Sequence, residues 1–551
     1  MIYNLIRTLF FFSSILISQQ TVGLIYNDTT AAYNGYTLFA PQSSLSTFLI
    51  DNEGRLVNRW ESEYVPGLSA YFLEDGYLLR SAAVEDPDGV DGRTGGFQKF
   101  DWENNLVWEF YYGTQHHDIE QLPNGNVLLI VNDTKLKNAA IQAGRNPDSI
   151  AGNNIRSLSI LEVSQTGQET GEIVWQWNAW DHLIQDFDNL KDNYGIVAEH
   201  PELIDINFAS GGAQDWLHTN SISYNNELDQ ILVSNRNTNE IWIIDHSITT
   251  WEAATHEGGN NGKGGDLLYR WGNPVAYKTG TDDDRKLYGQ HDAHWIETGL
   301  PGASNILIFS NGFSERGYST VDEIEPPINV NGYYELLYGA AYQPFDQTWV
   351  YTANTPEDFN SPRYGGSQRL PNGNTLICNS DGGEFFEVTS EKEIVWKYIN
   401  PVSRDRIYYQ GETEIDHNHV FRCYRYDEHY PGLAGKDLTP GDPIELYPTI
   451  AINDEQSIIA KFRLYDNYPN PFNPSTMIQY DLPEATQVTV AIYDLMGSAV
   501  KTLVNEFKDA GYHTVTWNGT NDRGNRMSGG VYLYSINAGP YHKTQKMVLL
   551  K

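Results

Sequence analysis

A six-fold repeat runs through most of this 551-residue chain and constrains its fold more than any other feature. In each unit a tryptophan closes a short apolar run, and a polar opening, a tight turn and a second β-rich apolar run follow. The six tryptophans are Trp60, Trp108, Trp175, Trp271, Trp349 and Trp396. Units of unequal length with strand-type alternation and Gly, Asn or Pro turns are typical of propeller blades, because a solenoid tolerates irregular insertions poorly. The repeat therefore predicts an all-β fold, with a six-bladed β-propeller over residues 24–450.

Two longer stretches, residues 126–175 and 178–216, interrupt the blade pattern. The second stretch carries apolar residues at roughly helical spacing, which are Leu183, Ile184, Phe187 and Leu190. We therefore expect short helical insertions in loops above the propeller. Insertions on one face of a repeat protein commonly form the rim of a pocket.

The charge balance and the first residues define the expected setting. A formal net charge of −36, from 72 acidic and 36 basic residues, repels nucleic acid and anionic lipid.

At the start of the chain Arg7 precedes an apolar run over residues 9–17 that is too short to span a bilayer. We interpret residues 1–23 as a signal peptide that is cleaved near residues 18–23. No later stretch has the length of a membrane helix, so we expect an exported mature protein without a membrane-spanning segment.

The chain has two cysteines, Cys378 and Cys423, on strand-like segments of neighbouring repeats. In an oxidising compartment the two cysteines could form one disulfide between blades. Two buried free thiols are the alternative, and the sequence leaves both open.

The organisation changes after about residue 450, where a polar linker over residues 451–463 leads into a different pattern. Residues 464–551 alternate valine, tyrosine and threonine between closely spaced turns, which predicts a small Ig-like β-sandwich. The stretches YPNPFNPST, YDLMG and GGVYLYSI resemble the type A C-terminal sorting domain of the type IX secretion system. The resemblance implies a partnership with that secretion machinery, passage across an outer membrane, and a secreted or cell-surface protein. A carbohydrate-binding sandwich is the alternative.

Equivalent positions at the start of successive inner strands converge on the axial channel of a propeller. In this chain those positions are rich in histidine, although the chain has only 14 histidines in total. The pattern predicts a ring of polar side chains around the channel. Its members are His116 and His117, His218 and Asn220, His291 and His294, Ser367, and His417 and His419.

A ring of imidazoles suits the transfer of a compact anionic group. Neutral imidazole is a good nucleophile, and protonated imidazole is a general acid near neutral pH. A guanidinium can hold the oxygens of the transferred group. Arg236, at the far end of the strand that begins near His218, is our first candidate for this role, and Arg363 is the second.

The stretches HHDIEQLPNGNVLL, LHTN with the downstream Arg236, and GQHDAHW followed by NILIFSNG resemble the bacterial arylsulfate sulfotransferases over most of residues 35–430. The resemblance implies a six-bladed propeller outside the cytoplasm. It implies transfer of a sulfuryl group from an aryl sulfate donor to a phenolic acceptor through a sulfohistidine intermediate, without a nucleotide sulfate donor, cofactor or metal.

Carried onto this chain, the resemblance assigns roles to individual residues. His291 is the nucleophile, His117 and His218 are the sulfate-site and acid/base histidines, and Arg236 holds the sulfate oxygens. Asn220 is a hydrogen-bond donor, and Ser367 stands where the family has a threonine. His116 and His294 are further substrate-binding candidates, because a one-residue change of register reverses the direction of a strand side chain.

Three other functions stay open at this point. The same histidines could bind zinc, copper or iron in a metalloenzyme. The acidic, aromatic-rich propeller could be a surface protein that binds glycans or another protein without catalysis. A family member that has kept the fold and lost turnover is the third alternative.

Overall fold

The computed structural model describes residues 20–84, 95–208, 214–329, 332–337, 339–404, 406–447, 462–465, 467, 470–472 and 474–550. It divides into two compact units, Met1–Leu446 and Tyr447–Lys551. Most of the predicted signal peptide, residues 1–19, and most of the predicted linker lie outside the described residues. Thr21 and Val22 contact the first unit, since Thr21 N–H donates to Gln410 Oε1 at 3.1 Å and Val22 is fully buried.

The first unit consists mainly of short strands. In chain order they are β1 (Gly23–Asn27), β2 (Gly35–Pro41), β3 (Ser46–Asp51), β4 (Leu56–Glu61), β5 (Pro66–Phe72), β6 (Leu78–Ala83), β7 (Gly95–Phe100), β8 (Leu106–Tyr111), β9 (Gln115–Gln121), β10 (Val127–Leu136), β11 (Asn154–Gln165), β12 (Gly171–Asn178), β13 (Leu183–Ile184), β14 (Ile204–Asp205), β15 (Thr219–Asn225), β16 (Gln230–Asn235), β17 (Glu240–Asp245), β18 (Tyr269–Trp271), β19 (His291–Trp295), β20 (Ile306–Ser310), β21 (Thr320–Ile324), β22 (Trp349–Tyr351), β23 (Gly366–Arg369), β24 (Thr375–Asn379), β25 (Glu384–Val388), β26 (Ile394–Ile399) and β27 (Val420–Asp427). The α-helices are α1 (Lys137–Gln142), α2 (Thr250–Ala253) and α3 (Phe313–Arg316). The 3₁₀ turns are Pro147–Ser149, Ala179–His182, Val197–Glu199, Pro274–Tyr277, Asp282–Asp284, Pro356–Asp358, Ser380–Gly382 and Pro431–Leu433.

Six antiparallel units of four strands form the blades, and a parallel bridge between Leu68 and His117 joins blades two and three into one sheet. Blade one is β27-β2-β3-β4, blade two β5 to β8, blade three β9 to β12, blade four β15 to β18, blade five β19 to β22 and blade six β23 to β26. Blade one combines the last strand of the unit with three early strands, and β1 extends the outer edge of blade six, so both chain ends close the ring. The prediction of an all-β, six-bladed propeller is confirmed.

The six repeat tryptophans all lie on the outermost strand of a blade, and their indole N–H groups connect neighbouring blades. Each indole donates to a backbone carbonyl of the following blade, between its third and fourth strands. The pairs are Trp60 with Asp101, Trp108 with Thr170, Trp175 with Ile248, Trp271 with Pro344, Trp349 with Ser390 and Trp396 with Asn52. Because a buried indole N–H needs an acceptor, the repeat sets the spacing of the blades as well as filling their interfaces.

The insertions contain less helix than the apolar spacing predicts. The first insertion carries α1, but the prediction of a helix through Leu183 to Leu190 is wrong. Leu183 begins β13, which pairs in parallel with β14. The side-chain oxygen of Gln185 accepts from the N–H groups of Phe187 and Asp188, and this local bonding replaces the helical pattern. Phe187 and Leu190 are consequently 53% and 85% exposed.

The two cysteines lie in neighbouring blades, one on β24 and the other on β27. Both are free and buried. Burial and a hydrogen bond with Cys423 raise the pKa of Cys378 well above its ordinary value. Of the two alternatives, the structure has the free thiols.

The second unit is a small β-sandwich with an apolar core around Trp517. Its strands are β28 (Arg463–Leu464), β29 (Thr476–Leu482), β30 (Thr486–Tyr493), β31 (Ala499–Lys508), β32 (Gly511–Trp517), β33 (Gly530–Ala538) and β34 (Tyr541–Leu549). They form one sheet in the order β28-β29-β32 and a second in the order β31-β30-β33-β34. This arrangement confirms the predicted sandwich.

In the described part of the chain no helix has the length and apolar character to cross a membrane.

Candidate active site

The inner strands of three consecutive blades begin with a left-handed backbone. His117 on β9, His218 just before β15 and Asp292 on β19 have φ values of 56°, 51° and 47°. This conformation is uncommon for residues other than glycine and persists where the surrounding structure holds it. It also interrupts the alternation of side chains, so adjacent residues of one strand can reach the same cluster.

His116, His117 and His218 form a compact group of imidazoles. Nδ1 of His116 lies 2.8 Å from Nδ1 of His117. The ring centroids of His117 and His218 are 4.9 Å apart, with the rings nearly perpendicular. Both members of the His116/His117 pair therefore belong to the cluster, although simple strand alternation admits only one of them.

A carboxylate supports His218 from the loop that precedes β15. Nδ1 of His218 lies 2.6 Å from Oδ2 of Asp215. Burial raises the pKa of Asp215, but the hydrogen bond and charge of His218 outweigh it and lower that pKa to about 2. Asp215 is thus ionised, accepts the hydrogen bond from Nδ1–H of His218, and places a negative charge beside this ring.

The fourth imidazole, His291, is held by an amide instead of a carboxylate. Nδ1 of His291 lies 2.7 Å from Oδ1 of Asn311, which follows β20. Nδ2 of Asn311 donates to the backbone oxygens of Ser361 and Tyr364 at 2.7 and 2.5 Å, so the amide can turn only its oxygen toward the ring. His291 therefore carries its proton on Nδ1 and a lone pair on Nε2.

Burial keeps three of these histidines neutral. It lowers the pKa of His116 to about 4, and it lowers those of His117 and His291 well below the ordinary value. Positive charge adds to the effect, from His218 at His117 and from Arg236 at His291. A neutral, buried imidazole has its nucleophilic lone pair available over the whole physiological pH range.

Arg236 follows β16 directly and lies beside the histidines. Its backbone N–H donates to the carbonyl of His218 at 3.2 Å, and Nη1 donates to Oδ1 of Asn237 at 3.3 Å. Burial lowers the pKa of Arg236, while the charges of Asp215 and Tyr364 oppose the shift. Arg236 supplies a half-buried positive charge next to His291.

A second guanidinium, from Arg422 on β27, joins the inner strands of five blades. It donates to Oδ2 of Asp118 at 2.7 Å, to the hydroxyl of Tyr71 at 3.2 Å and to the backbone oxygen of Asn220 at 3.1 Å. Its Nε lies 3.2 Å from Oδ1 of Asp292. These contacts hold the strands that carry the histidines in a fixed relation.

Three predicted substrate-binding residues take part in this framework. Asn220 is fully buried, and its Nδ2 donates to the backbone oxygen of Gln290 at 2.8 Å. The backbone N–H of Ser367 donates to Oδ2 of Asp292 at 2.8 Å. Nδ1 of His294 lies 3.3 Å from the backbone oxygen of Asp292, beyond a bulge that separates it from His291. These three residues contact the inner strands that Arg422 joins. In the part of the chain that the structure describes, they do not contact the imidazole rings of His116, His117, His218 and His291.

His417 and His419, predicted at an equivalent position of the ring, lie outside the cluster. Both precede β27, and the side chain of His417 is 68% exposed and lies against Asp416. Phe421 and Arg422 occupy the inner position instead, and Phe421 contacts both His117 and His291. Arg363 is 65% exposed, so it is a surface residue.

Sequence reasoning missed three residues that organise the cluster, Asn311, Asp215 and Arg422. Each has a weak signal in the sequence. Asn311 lies in the quoted NILIFSNG stretch, Asp215 precedes His218 by one turn, and Arg422 lies in the HNHVFRCYR stretch two residues after β27 begins. Tyr364 was also missed; its ring centroid lies 5.9 Å from that of His291.

Comparison with known proteins identifies related families for both units. Residues 99–422, more than half of the chain, match the family model Arylsulfotransferase (ASST), and residues 474–540 match the FlgD Ig-like domain. Arylsulfate sulfotransferase AssT of Escherichia coli O6:H1 is 24% identical over 353 residues, which cover 57% of this chain and 54% of the relative. The chain thus spans about half the length of the curated relative it matches.

Solved structures are similar only at a low level. A Bacteroides caccae protein of unknown function has a TM-score of 0.38 at 12% identity, and covers 72% of this chain and 100% of its own. Virginiamycin B lyase from Staphylococcus aureus has a TM-score of 0.33 at 9% identity, with 70% and 86% covered. Such scores support no conclusion about function.

Proposed function

This chain belongs to the arylsulfotransferase family, and from that premise we propose that it transfers a sulfuryl group from an aryl sulfate to a phenolic acceptor. The transfer proceeds through a covalent intermediate on His291. The observation that carries the proposal is the contact between His291 and Asn311, which leaves Nε2 of a neutral, buried imidazole as the nucleophile. The protonatable His218 with its partner Asp215 belongs to the same cluster and supports the complementary role.

In the first half-reaction Nε2 of His291 attacks the sulfur of the aryl sulfate, and the bond from sulfur to the phenolic oxygen breaks. The departing oxygen takes a proton from the His218 imidazolium and leaves as a phenol. The sulfated His291 ring gains positive charge, which strengthens the hydrogen bond from its Nδ1 to Oδ1 of Asn311. An amide oxygen is suited to this position because it accepts the hydrogen bond from Nδ1–H but is too weak a base to remove the proton.

In the second half-reaction the acceptor phenol replaces the first phenol. Neutral His218 takes the proton of the acceptor hydroxyl, the phenolic oxygen attacks sulfur, and the bond from sulfur to Nε2 of His291 breaks. His218 is then protonated and His291 neutral, as at the start. The two products leave in separate steps, which gives substituted-enzyme kinetics.

The positive charges around the cluster suit a sulfate group. Arg236 is the guanidinium next to His291 and would hold sulfuryl oxygens with its planar fork of N–H donors. His117 is neutral, and when His116 donates the hydrogen bond between their Nδ1 atoms, Nε2–H of His117 is the donor that can reach a sulfate oxygen. Tyr364, which is half-buried beside His291, offers an aromatic face for the ring of donor or acceptor.

The experiment is intact-protein mass spectrometry after brief exposure to 4-nitrophenyl sulfate without an acceptor. We expect the mass to increase by one sulfuryl group and a phenol to discharge it. His291→Ala should take up no label, and Arg236→Ala should lower kcat by ~10² to 10³ because one transition-state donor is lost. His429→Ala, at an 86% exposed side chain, is the matched control. Full turnover of His291→Ala, or no label on the wild-type protein during turnover, would contradict the proposed intermediate.

The same measurement separates the transferase from its alternatives. A metalloenzyme or a binding protein would acquire no sulfuryl label.

For the second unit we propose the role of a type IX sorting domain on an exported protein. The proposal rests on the YPNPFNPST, YDLMG and GGVYLYSI stretches and on the separate compact unit that the second part of the chain forms.

A further inference from the structure

We propose that His182, His256 and Asp266 bind one zinc ion at the outer edges of blades three and four. The three residues lie on two connections of the propeller that are far apart in sequence. Nδ1 of His182 and Nδ1 of His256 each lie 2.8 Å from Oδ1 of Asp266. One ligand atom from each residue therefore lies within 4.8 Å of the other two.

His182 provides the second, independent observation. It is fully buried, and both of its ring nitrogens face acceptors: Nδ1 faces Asp266, and Nε2 lies 2.8 Å from the backbone oxygen of Ala253. A neutral imidazole carries a single N–H and can donate to only one of these oxygens. Both contacts therefore need either a second proton on the ring or a cation at Nδ1. With zinc at Nδ1, Nε2–H donates to the Ala253 carbonyl as metal-bound histidines commonly do.

The surrounding backbone is built to bring the three ligands together. The indole N–H of Trp177 donates to the carbonyl of Gly265 at 2.7 Å, next to Asp266, and the Trp177 ring stacks on His182 at 5.3 Å. A Cβ at Gly265 would lie 2.7 Å from Nε2 of His182 and 2.1 Å from the carbonyl oxygen of Ala253. Only glycine permits this approach, so the close packing of the loop on His182 depends on that residue.

The donor set favours zinc over the hard cations. Two imidazole nitrogens and one carboxylate oxygen suit zinc, whereas calcium and magnesium prefer oxygen ligands only. The side chain of His256 is 58% exposed, so a water molecule can reach the fourth tetrahedral position. His182 follows β12 of blade three, and Asp266 precedes β18 of blade four, so the ion would connect two blades.

The experiment is calorimetric titration of the full chain with zinc sulfate after dialysis against a chelator, with thermal unfolding followed in parallel. We expect one equivalent of zinc to bind and to raise the unfolding temperature. His256→Ala and Asp266→Asn should weaken binding by ~100-fold or more and remove the zinc-dependent part of the stabilisation. Comparing each variant with and without zinc separates loss of the ion from loss of the hydrogen bonds.

The matched control is His417→Ala, which alters the exposed cluster of Asp416, His417 and His419, the other group of three candidate ligands in the described residues. This variant should bind zinc as the wild type does. Cobalt substitution gives a second readout, since a tetrahedral site produces intense visible bands that His256→Ala should abolish. Failure of the dialysed wild type to bind zinc, or unchanged binding by His256→Ala, would overturn the proposal.

Discussion

Oδ1 of Asn311 accepts the Nδ1 proton of His291 over 2.7 Å, and this contact determines which nitrogen of the imidazole carries the lone pair. The amide cannot turn round, because its Nδ2 donates to two backbone carbonyls. A neutral side chain thus selects the tautomer, where a carboxylate would also raise the pKa of the ring and favour its protonation.

Asn311→Leu should lower the rate of nitrophenol release from 4-nitrophenyl sulfate by ~10² to 10⁴, because the ring is then free to adopt the wrong tautomer. The variant also leaves the Tyr364 carbonyl without its donor, at about 1–3 kcal/mol, and the Ser361 carbonyl with only Oγ of Ser319 at 3.5 Å. Asn400→Leu is the matched control, since buried Asn400 also donates to two backbone oxygens, those of Val402 and Asn418. Equal activity losses in the two variants would show that stability, and not the tautomer of His291, limits the rate.

Asp215→Asn should make sulfuryl transfer depend more steeply on the leaving group. Without the carboxylate, His218 loses the partner that stabilises its imidazolium, so a phenol of high pKa leaves more slowly, by ~10² to 10⁴. 4-Nitrophenolate is a good leaving group and needs little protonation, so its release should change much less. The measurement is the rate of phenol release for a series of aryl sulfates.

Asp229→Asn is the control for Asp215→Asn. Asp229 also bonds Nδ1 of a histidine, His246, at 2.7 Å, but in the turn between β15 and β16 and directly after β17 of blade four. A parallel loss of rate for all leaving groups in Asp215→Asn would contradict the role of His218 as the acid.

The sequence predicted the blades well because each repeat tryptophan has one fixed place, the outermost strand, and one fixed partner, the following blade. It also predicted that His117, His218 and His291 approach one another. It could not predict that both His116 and His117 join the cluster, since the left-handed backbone at His117 breaks the strand alternation. Asn311 directly follows a strand, and Asp215 lies in the loop before β15. The positions of such residues depend on tertiary packing and not on local periodicity.

The buried histidines should make the propeller less stable in mild acid. Burial lowers the pKa of His116 to about 4 from an ordinary value of 6.5. As pH falls from 6.5 to 4, the unfolded chain binds a proton that the folded protein excludes, so the free energy of unfolding decreases with falling pH. His116→Gln should therefore lose less stability than the wild type between pH ~7.5 and ~4.5, by on the order of 2 to 3 kcal/mol.

Urea unfolding at the two pH values, followed by tryptophan fluorescence, measures this difference. His429→Gln is the control, because it replaces an 86% exposed imidazole by the same residue and removes no buried group. The same pH dependence in His116→Gln and wild type would contradict a buried neutral imidazole at this position.

Trp396→Phe should destabilise the propeller by about 1–3 kcal/mol beyond the loss of ring area, because the Asn52 carbonyl loses its shorter donor and keeps only Nδ2 of Asn27 at 3.3 Å. This bond joins blade six to blade one and is one of the contacts that close the ring. Trp349→Phe is the matched comparison. It breaks the equivalent bond to Ser390 at 3.1 Å on a half-buried ring, where water can replace the donor, so its cost should be smaller. Thermal unfolding of both variants tests this order, which reversed values would contradict.

Removal of residues 447–551 should leave the propeller folded but retained in the periplasm of a host with type IX secretion. The two units have separate hydrophobic cores, and the core around Trp517 contains residues of the second unit alone. Residues 447–551 fused to a periplasmic reporter should carry that reporter to the cell surface or the medium. A fusion that lacks residues 541–551 is the control, because β34 supplies an edge of the larger sheet and buried Met547 to the core. Fractionation followed by immunoblotting measures the outcome. A full fusion that stays in the periplasm would contradict the sorting role and leave the sulfuryl-transfer proposal untouched, since the histidine cluster lies wholly within the first unit.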